Sequence, residues 1–319
     1  MTIISKDIPK AIEILKRDEL VAIPTETVYG LAGNIFSEKA IKKIFTTKQR
    51  PFFNPLIVHL YNYKQLESVV SYIPTKAKKL AKAFWPGSLT LVLPKNKQIP
   101  DLVTAGKDTV AVRIPNHKLT LELLEKLDFP LAAPSANPFG SISPTSAQHV
   151  KNYFDNQLEM VLDGGDCEAG IESTIVGFND DEPVVYRLGS TSIEDIELVI
   201  GNVTIQNRSE SKPVAPGMLS RHYAPKKQTY LVDDVSLFLK VNSDKKIGLL
   251  LFNSKIDTSN VVHTETLSLE GRLEEATQNL YAALHRLDSK EIDLIVCEKL
   301  PNVGLGKTIN DRLERATKK

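Results

Sequence analysis

Short apolar runs of strand length alternate with helix-period stripes along nearly the whole chain, and this alternation limits the fold more than any other property of the sequence. Ile8, Ala11, Ile12 and Leu15 form the first helical stripe, and residues 20–23 then read as a buried strand closed by Pro24. A helix over 39–47 follows, with strands over 56–60, 89–93 and 110–114. A helix over 119–127, a strand over 131–133, a helix after Pro144, strands over 173–178 and 184–188 and a helix over 193–200 complete the series. Strands alternating with helices in this way predict an α/β fold. At 319 residues the chain exceeds what one hydrophobic core ordinarily supports, so two domains are expected, with one large α/β domain as the alternative.

After residue 200 both periodicities lapse. The polar, proline-bearing stretch NVTIQNRSESKPVAPGMLSRHYAPKK reads as a linker, dividing the chain into 1–205, a linker over 206–227, and 228–319. In the last part, strands over 228–232, 246–252 and 293–298 alternate with helices over 272–287 and 307–317, which predicts a small three-layer α/β unit. A formal net charge of +1 argues against a protein that coats nucleic acid or membranes through overall charge. Cys167 and Cys297 stand far apart with no CxxC and no histidine at metal spacing, so neither a disulfide framework nor a zinc site is expected, and a reducing cytoplasm fits best. Lys6, Asp7 and Lys10 fall where a signal peptide needs its apolar run, and the longest apolar stretch, 247–252, is too short to span a bilayer. Neither export nor a membrane anchor is expected.

Four constellations could carry chemistry. Lys39, Lys42, Lys43, Lys48 and Arg50 crowd residues 39–50 with no acid among them. The first three read as a solvated helix face, whereas Lys48 and Arg50 sit where the helix must end before Pro51 and can converge on an anion. A guanidinium forks onto phosphate oxygens and an ammonium acts as a mobile point charge, a pairing suited to a polyphosphate. PTETVYGL (24–31) and APSANPFGSISPTS (133–146) each follow a strand and offer hydroxyls, an amide and exposed N–H groups, so a ligand is expected at strand ends. Each alone is also an ordinary loop. GGDCEAGIESTIV (164–176) brings glycines and Ser173 to a further strand end, and Cys167 inside it lacks the basic neighbourhood of a nucleophile and reads as a passive thiol. Gly306-Lys307-Thr308 looks like the end of a P-loop, but Pro301 stands where that motif needs its first glycine, and no GxSxG, HExxH or GxGxxG occurs. Any ATP is therefore bound without a Walker loop.

The ordered set PTETVYGL, KQRPFFNPLIVH, VAVRIP, APSANPFGSISPTSAQHV, GIESTIV and PGMLSRHYAP closely resembles the Sua5 branch of the YrdC/Sua5 family, the threonylcarbamoyl-AMP synthases, over essentially the whole chain. The resemblance implies an α/β fold: a YrdC-like catalytic domain with a twisted mixed sheet and a large basic cavity, a linker acting as a lid, and a smaller Rossmann-like C-terminal domain. It implies L-threonine, bicarbonate and ATP as substrates, with Mg²⁺ on the ATP phosphates and no metal held by the protein itself. The products would be threonylcarbamoyl-AMP and pyrophosphate, the former for N6-threonylcarbamoyladenosine at position 37 of tRNAs reading ANN codons. The tRNA would be met only indirectly, through a downstream threonylcarbamoyl-transferase, and no membrane is involved.

Carried over by motif, Lys48, Arg50, Ser135 and Asn137 look catalytic. Thr27, His59, Arg113, Ala133 (through its backbone) and Ser173 look like the threonine side, and Arg50, Asn54, Thr109, Ser135, Ser143, Arg187 and Tyr223 look like the ATP side. Two features depart from the family pattern: Leu219-Ser220 stand where a more polar or aromatic pair is expected, and Phe52-Phe53 make the loop after Arg50 unusually apolar. Tyr223 is expected to reach the nucleotide when the linker closes, the alternative being that HYAP merely docks the C-terminal domain. Two rival functions remain at this stage: an RNA-binding α/β module without catalysis, and another ATP-using carbamoyl-transfer or hydrolase enzyme. Apart from Trp85, the basic segments lack the aromatic interleaving that RNA stacking uses.

Overall fold

The alternation resolves into two sheets in a computed structural model that describes residues 1–209, 213–220, 222–256 and 260–318. The larger sheet is built from β1 (Ile3–Ser5), β2 (Val21–Ile23), β3 (Gly30–Asn34), β4 (Ile57–His59), β5 (Leu89–Pro94), β6 (Thr109–Arg113), β7 (Leu131–Ala132), β8 (Met160–Leu162), β9 (Thr174–Asn179), β10 (Glu182–Arg187) and β11 (Thr204–Ile205). Their order is β1-β8-β2-β3-β7-β4-β6-β5-β9-β10-β11, with parallel pairs such as β4·β6 beside antiparallel ones such as β5·β6. Helices α1 (Ile8–Lys16), α2 (Glu38–Lys48), α3 (Leu66–Val69), α4 (Thr75–Phe84), α5 (Asp101–Thr104), α6 (Lys118–Glu125), α7 (Ala147–Phe154) and α8 (Ile193–Ile200) are interspersed. A second, all-parallel sheet, ordered β12-β15-β13-β14, follows the linker: β12 (Gln228–Val232), β13 (Ile247–Leu251), β14 (Val261–Thr266) and β15 (Leu294–Glu298). It carries α9 (Val235–Val241), α10 (Leu273–Asp288) and α11 (Leu305–Ala316).

Local chemistry sets several boundaries. Ser37, Ser146 and Ser192 accept a hydrogen bond from the backbone N–H three residues on and so cap α2, α7 and α8. At the other end of α2, Gln49 turns left-handed at φ 53°, and this turn delivers Arg50 away from the helix axis.

The period of two in the strands separates core from cavity. Val58, Val112, Leu91 and Val176 belong to the principal core, whereas Ile57, Ala111, Val92 and Ile175 point to the opposite face. There they pack against Ala215 and Met218 of the linker, so the linker lies on the sheet face that the helices leave open. The sequence reading put the ligand at strand ends. The cavity lies over this face and is walled at strand ends, by Gly30 at the start of β3 and by His59, Arg113 and Arg187 at the ends of β4, β6 and β10.

The C-terminal unit is packed tightly onto the first. Gly170 takes φ +66°, and a Cβ there would lie 2.3 Å from the Gln278 carbonyl oxygen, so only glycine admits α10 at this distance. Helix α11 buries polar residues, among them Thr308, Asn310, Asp311, Arg312 and Arg315, because its surroundings are the other domain rather than water. The P-loop-like triplet serves this docking: Lys307 pairs with Glu194 at 2.7 Å and the Thr308 hydroxyl donates to the Gly189 carbonyl at 3.1 Å. No helix among the described residues is long and apolar enough to cross a membrane.

Candidate functional site

The cavity has two electrostatically different ends. At the first, Arg113 closes β6 in register with His59 on β4, so strand pairing alone sets these side chains next to each other. The Arg113 guanidinium donates to the Gly87 carbonyl at 3.1 Å and the Thr27 hydroxyl at 2.8 Å, and it forms an ion pair with Glu26 at 2.5 Å. Glu26 is fixed by the Ser88 hydroxyl at 3.1 Å and the Asn116 N–H at 3.0 Å. This end is therefore charge-balanced. His59 is held at a pKa of about 3, chiefly by burial and then by Arg113, so its imidazole is neutral near pH 7. Thr25, Thr27 and Ala133 complete the wall here.

The second end is unbalanced. Arg50 donates to the Asn54 carbonyl at 3.3 Å and the Pro55 carbonyl at 2.8 Å, and Arg187 donates to the Ser173 carbonyl and hydroxyl, both at 3.0 Å. Among the described residues neither Arg50 nor Arg187 has a salt-bridge partner within 4.0 Å. Burial, and then repulsion from Arg187, lowers the pKa of Arg50 to about 9. Two buried guanidiniums that repel each other form a site that a polyanion relieves. Beside them Asn54 is fully buried with both side-chain amide atoms unpartnered, and the buried Tyr223 hydroxyl is unpartnered as well. The Tyr223 hydroxyl, on the cavity wall, offers a hydrogen bond to whatever enters.

The linker roofs the cavity. Pro216, Gly217, His222 and Tyr223 line it, and Tyr223, at φ +63°, is buried to 1% exposure. Residues 210–212 and Arg221, which fall within the expected linker, lie outside the described residues. The apolar Phe52 stacks on Phe45 at 4.7 Å, and the Leu219 backbone carbonyl accepts from Arg315 at 2.6 Å.

Of the expected site residues, Thr27, Arg50, His59, Arg113, Ala133, Ser135, Ser173, Arg187 and Tyr223 share the cavity wall. Lys48, Asn54, Asn137, Ser143 and Thr109 are not on it. Lys48 was expected to be a mobile charge on phosphate. Its ammonium is instead committed to the Ser135 and Asn137 carbonyls, each at 2.5 Å, and burial, then Arg50, lowers its pKa well below the usual lysine value. The Asn137 amide donates to the Pro138 and Ser141 carbonyls, so Lys48 and Asn137 together shape the loop that presents Ser135. The Ser143 hydroxyl is turned to Glu172 at 2.6 Å. Thr109 shares the cavity face of β6 but lies four residues from Arg113, about 13 Å along the strand.

Glu26, Glu172, Tyr281 and Arg312, none of them singled out from the sequence, also belong to this site. Both glutamates sit inside the motifs PTETVYGL and GIESTIV, where attention to hydroxyls passed over the carboxylates that pair with Arg113 and Arg312. Tyr281 and Arg312 come from the C-terminal unit, and only the tertiary fold brings them in. Among the described residues no group of three or more His, Cys, Asp or Glu side chains could hold a metal ion. Cys167 is buried and burial pushes its pKa up, as for Cys297. Both thiols are expected to stay silent to a thiol-specific chromogenic reagent until the protein is unfolded, and a fast-reacting thiol in the native protein would contradict this placement.

A twisted mixed sheet whose open face carries clustered guanidiniums under a folded linker defines an α/β protein with a roofed, arginine-lined cavity. Residues 13–189 match the Sua5/YciO/YrdC family model, described as telomere recombination, and residues 191–317 match the model described as threonylcarbamoyl-AMP synthase, C-terminal domain. The chain belongs to the Sua5/YciO/YrdC family, in its form with the Sua5 C-terminal domain. It is 41% identical over 317 residues to the threonylcarbamoyl-AMP synthase of Pyrococcus abyssi, covering 95% of this chain and 92% of the relative. It is 38% identical over 324 residues to that of Bacillus subtilis, covering 97% and 92%. The crystal structure of P. abyssi Sua5 complexed with L-threonine superposes with a TM-score of 0.91 at 39% identity, covering 99% of this chain and 98% of that one. E. coli YciO shares the fold of the first domain, with a TM-score of 0.52 at 24% identity over 59% of this chain.

Proposed function

We propose that the chain is an L-threonylcarbamoyladenylate synthase, a nucleotidyltransferase that joins L-threonine, bicarbonate and ATP and releases pyrophosphate. The observation that carries this reading is the pairing, under one lid, of the balanced Arg113–Glu26 end with the unbalanced Arg50 and Arg187. Threonine is a zwitterion, and a wall holding hydroxyls, a neutral imidazole and a guanidinium paired with the Glu26 carboxylate suits its carboxylate, ammonium and side-chain hydroxyl. A triphosphate suits the other end.

In this reading the threonine amine and bicarbonate give a carbamate with loss of water. A carbamate oxygen then bonds to the α-phosphorus of ATP as the bond to pyrophosphate breaks, and the leaving group takes the electron pair. Negative charge accumulates on phosphoryl oxygens, where Arg50 and Arg187 are already in place, so positioning and electrostatics carry the step without a covalent nucleophile. Lys48 and Asn137 hold the loop that presents Ser135, which in this reading faces the nucleotide. Mg²⁺, carried in on ATP, would add neutralising charge to the departing pyrophosphate. The lid keeps water from the reactive adenylate, which a downstream transferase would pass to tRNA in the cytoplasm.

A roofed cavity does not admit a polymer, which argues against the RNA-binding module. The separating experiment supplies ATP, Mg²⁺, bicarbonate and each amino acid in turn while pyrophosphate is followed. Threonine-selective release is expected, and phosphate release independent of the amino acid would favour a hydrolase instead.

A further inference from the structure

The C-terminal domain does more than touch the cavity from outside. Glu172 lies on the cavity wall at 5% exposure, and its carboxylate accepts from the Ser143 hydroxyl at 2.6 Å, from the Tyr281 hydroxyl at 2.9 Å and from Arg312 Nε at 3.0 Å. The last two donors stand on α10 and α11. The remaining nitrogens of Arg312 are committed as well, to Asp311 at 2.7 Å and to the Leu188 carbonyl at 2.5 Å, so its guanidinium plane is fixed. That plane rests on the ring of Tyr223, with the guanidinium carbon 4.6 Å from the ring centroid, and Tyr281 stacks on the same ring at 5.9 Å. Next along the helix, Arg315 grips the linker backbone through the Leu219 and Asn207 carbonyls at 2.6 and 2.8 Å.

Tyr223 adopts φ +63°, a conformation that costs a bulky L-residue of the order of 1–3 kcal/mol and persists only where neighbours over-determine it. Among those neighbours are Arg312 and Tyr281. We infer that Arg312 is a positioning residue for the reaction, clamping the wall carboxylate Glu172 and the lid ring Tyr223 at once, so that the C-terminal domain completes the nucleotide end of the cavity. This rests on the synthase reading, with Tyr223 on the ATP side. The clamp sets where the unpartnered Tyr223 hydroxyl points, and its hydrogen bonds and ring contact run to Glu172, Asp311, Leu188 and Tyr223 rather than to Arg113, Thr27 or His59. Its loss therefore acts on one substrate and spares the other.

The test is steady-state kinetics on Arg312→Met, Arg312→Lys and Lys307→Ala, with thermal unfolding in parallel. Arg312→Met is expected to raise KM for ATP at least tenfold while KM for threonine stays within about threefold. Arg312→Lys, which keeps the charge but not the fork, should recover part of the loss. Lys307→Ala, which removes only an exposed interdomain pair, should match wild type. If Arg312→Met fails to fold, Tyr281→Phe removes one hydroxyl from Glu172 and keeps the ring, and a rise of about threefold in KM for ATP is expected. A folded Arg312→Met with wild-type KM for ATP, or equal changes in both KM values, would overturn the clamp and leave Arg312 as interdomain glue. Absence of threonine-dependent turnover in the wild type would instead sink the synthase reading, and equilibrium ATP binding to the same variants would still decide the clamp.

Discussion

Arg50→Ala is expected to lower threonine-dependent pyrophosphate release by about 10²–10³-fold, the usual cost of removing one preorganised charge donor from a transition state. Folding should survive. Burial and Arg187 together lower the pKa of Arg50, so its charge works against the folded state at neutral pH, and removing it relieves that repulsion. The local cost is the loss of donors to the Asn54 and Pro55 carbonyls, each bond worth about 1 kcal/mol net. Arg50→Lys should fall between wild type and alanine, since an ammonium keeps the charge and loses the fork. Turnover of Arg50→Ala within threefold of wild type would remove Arg50 from the phosphate site.

The second large effect is expected at the lid. Gly217 takes φ +83°, and a Cβ there would lie 2.8 Å from Cδ of Arg187 and 3.0 Å from the Tyr223 hydroxyl. Gly217→Val therefore meets both a backbone region that L-residues rarely adopt and two residues of the cavity wall. The backbone term alone is about 1–3 kcal/mol, and the structure can escape it by lifting the linker off the sheet. A lifted linker withdraws Tyr223 and admits water. Turnover to intact adenylate should fall at least tenfold, with ATP consumption falling less than adenylate yield because the intermediate now hydrolyses. An unchanged ratio of adenylate formed to ATP consumed would mean that the linker is only a tether.

How far the sequence carried is clearest at individual elements. α8 and β12 coincide with the residues read from periodicity, because a long apolar stripe or run bounded by polar residues leaves little choice. β1 and β8 escaped notice although β2, β4 and β7, which are no longer, were read from their apolar runs. β3 was absorbed into a loop because GLAGN carries two glycines, which weaken any strand signal. In α4 the lysines masked a buried stripe of Ala77, Leu80 and Ala81.

At the site, residues within a motif were legible because the motif is a continuous local structure. Their partners were not. The pairing of Arg113 with Glu26 depends on strand register, the commitment of Lys48 to the Ser135 and Asn137 carbonyls depends on how one loop returns to a helix end, and Arg312 arrives from a different domain. The strand ends alone did not tell on which face of the sheet the cavity opens. Which face of a sheet stays open is decided by what the helices cover, and that is a property of the assembled sheet rather than of any one strand.

The central claim, that the lidded cavity makes threonylcarbamoyl-AMP, is most directly tested by one isotope experiment. Protein, ATP, Mg²⁺, L-threonine and ¹³C-bicarbonate are incubated and the products resolved by mass spectrometry. The account predicts an adenylate that carries both threonine and the ¹³C label, formed with one pyrophosphate per molecule and absent when threonine is omitted. Unlabelled AMP, or ADP and phosphate produced at the same rate with or without threonine, would contradict it.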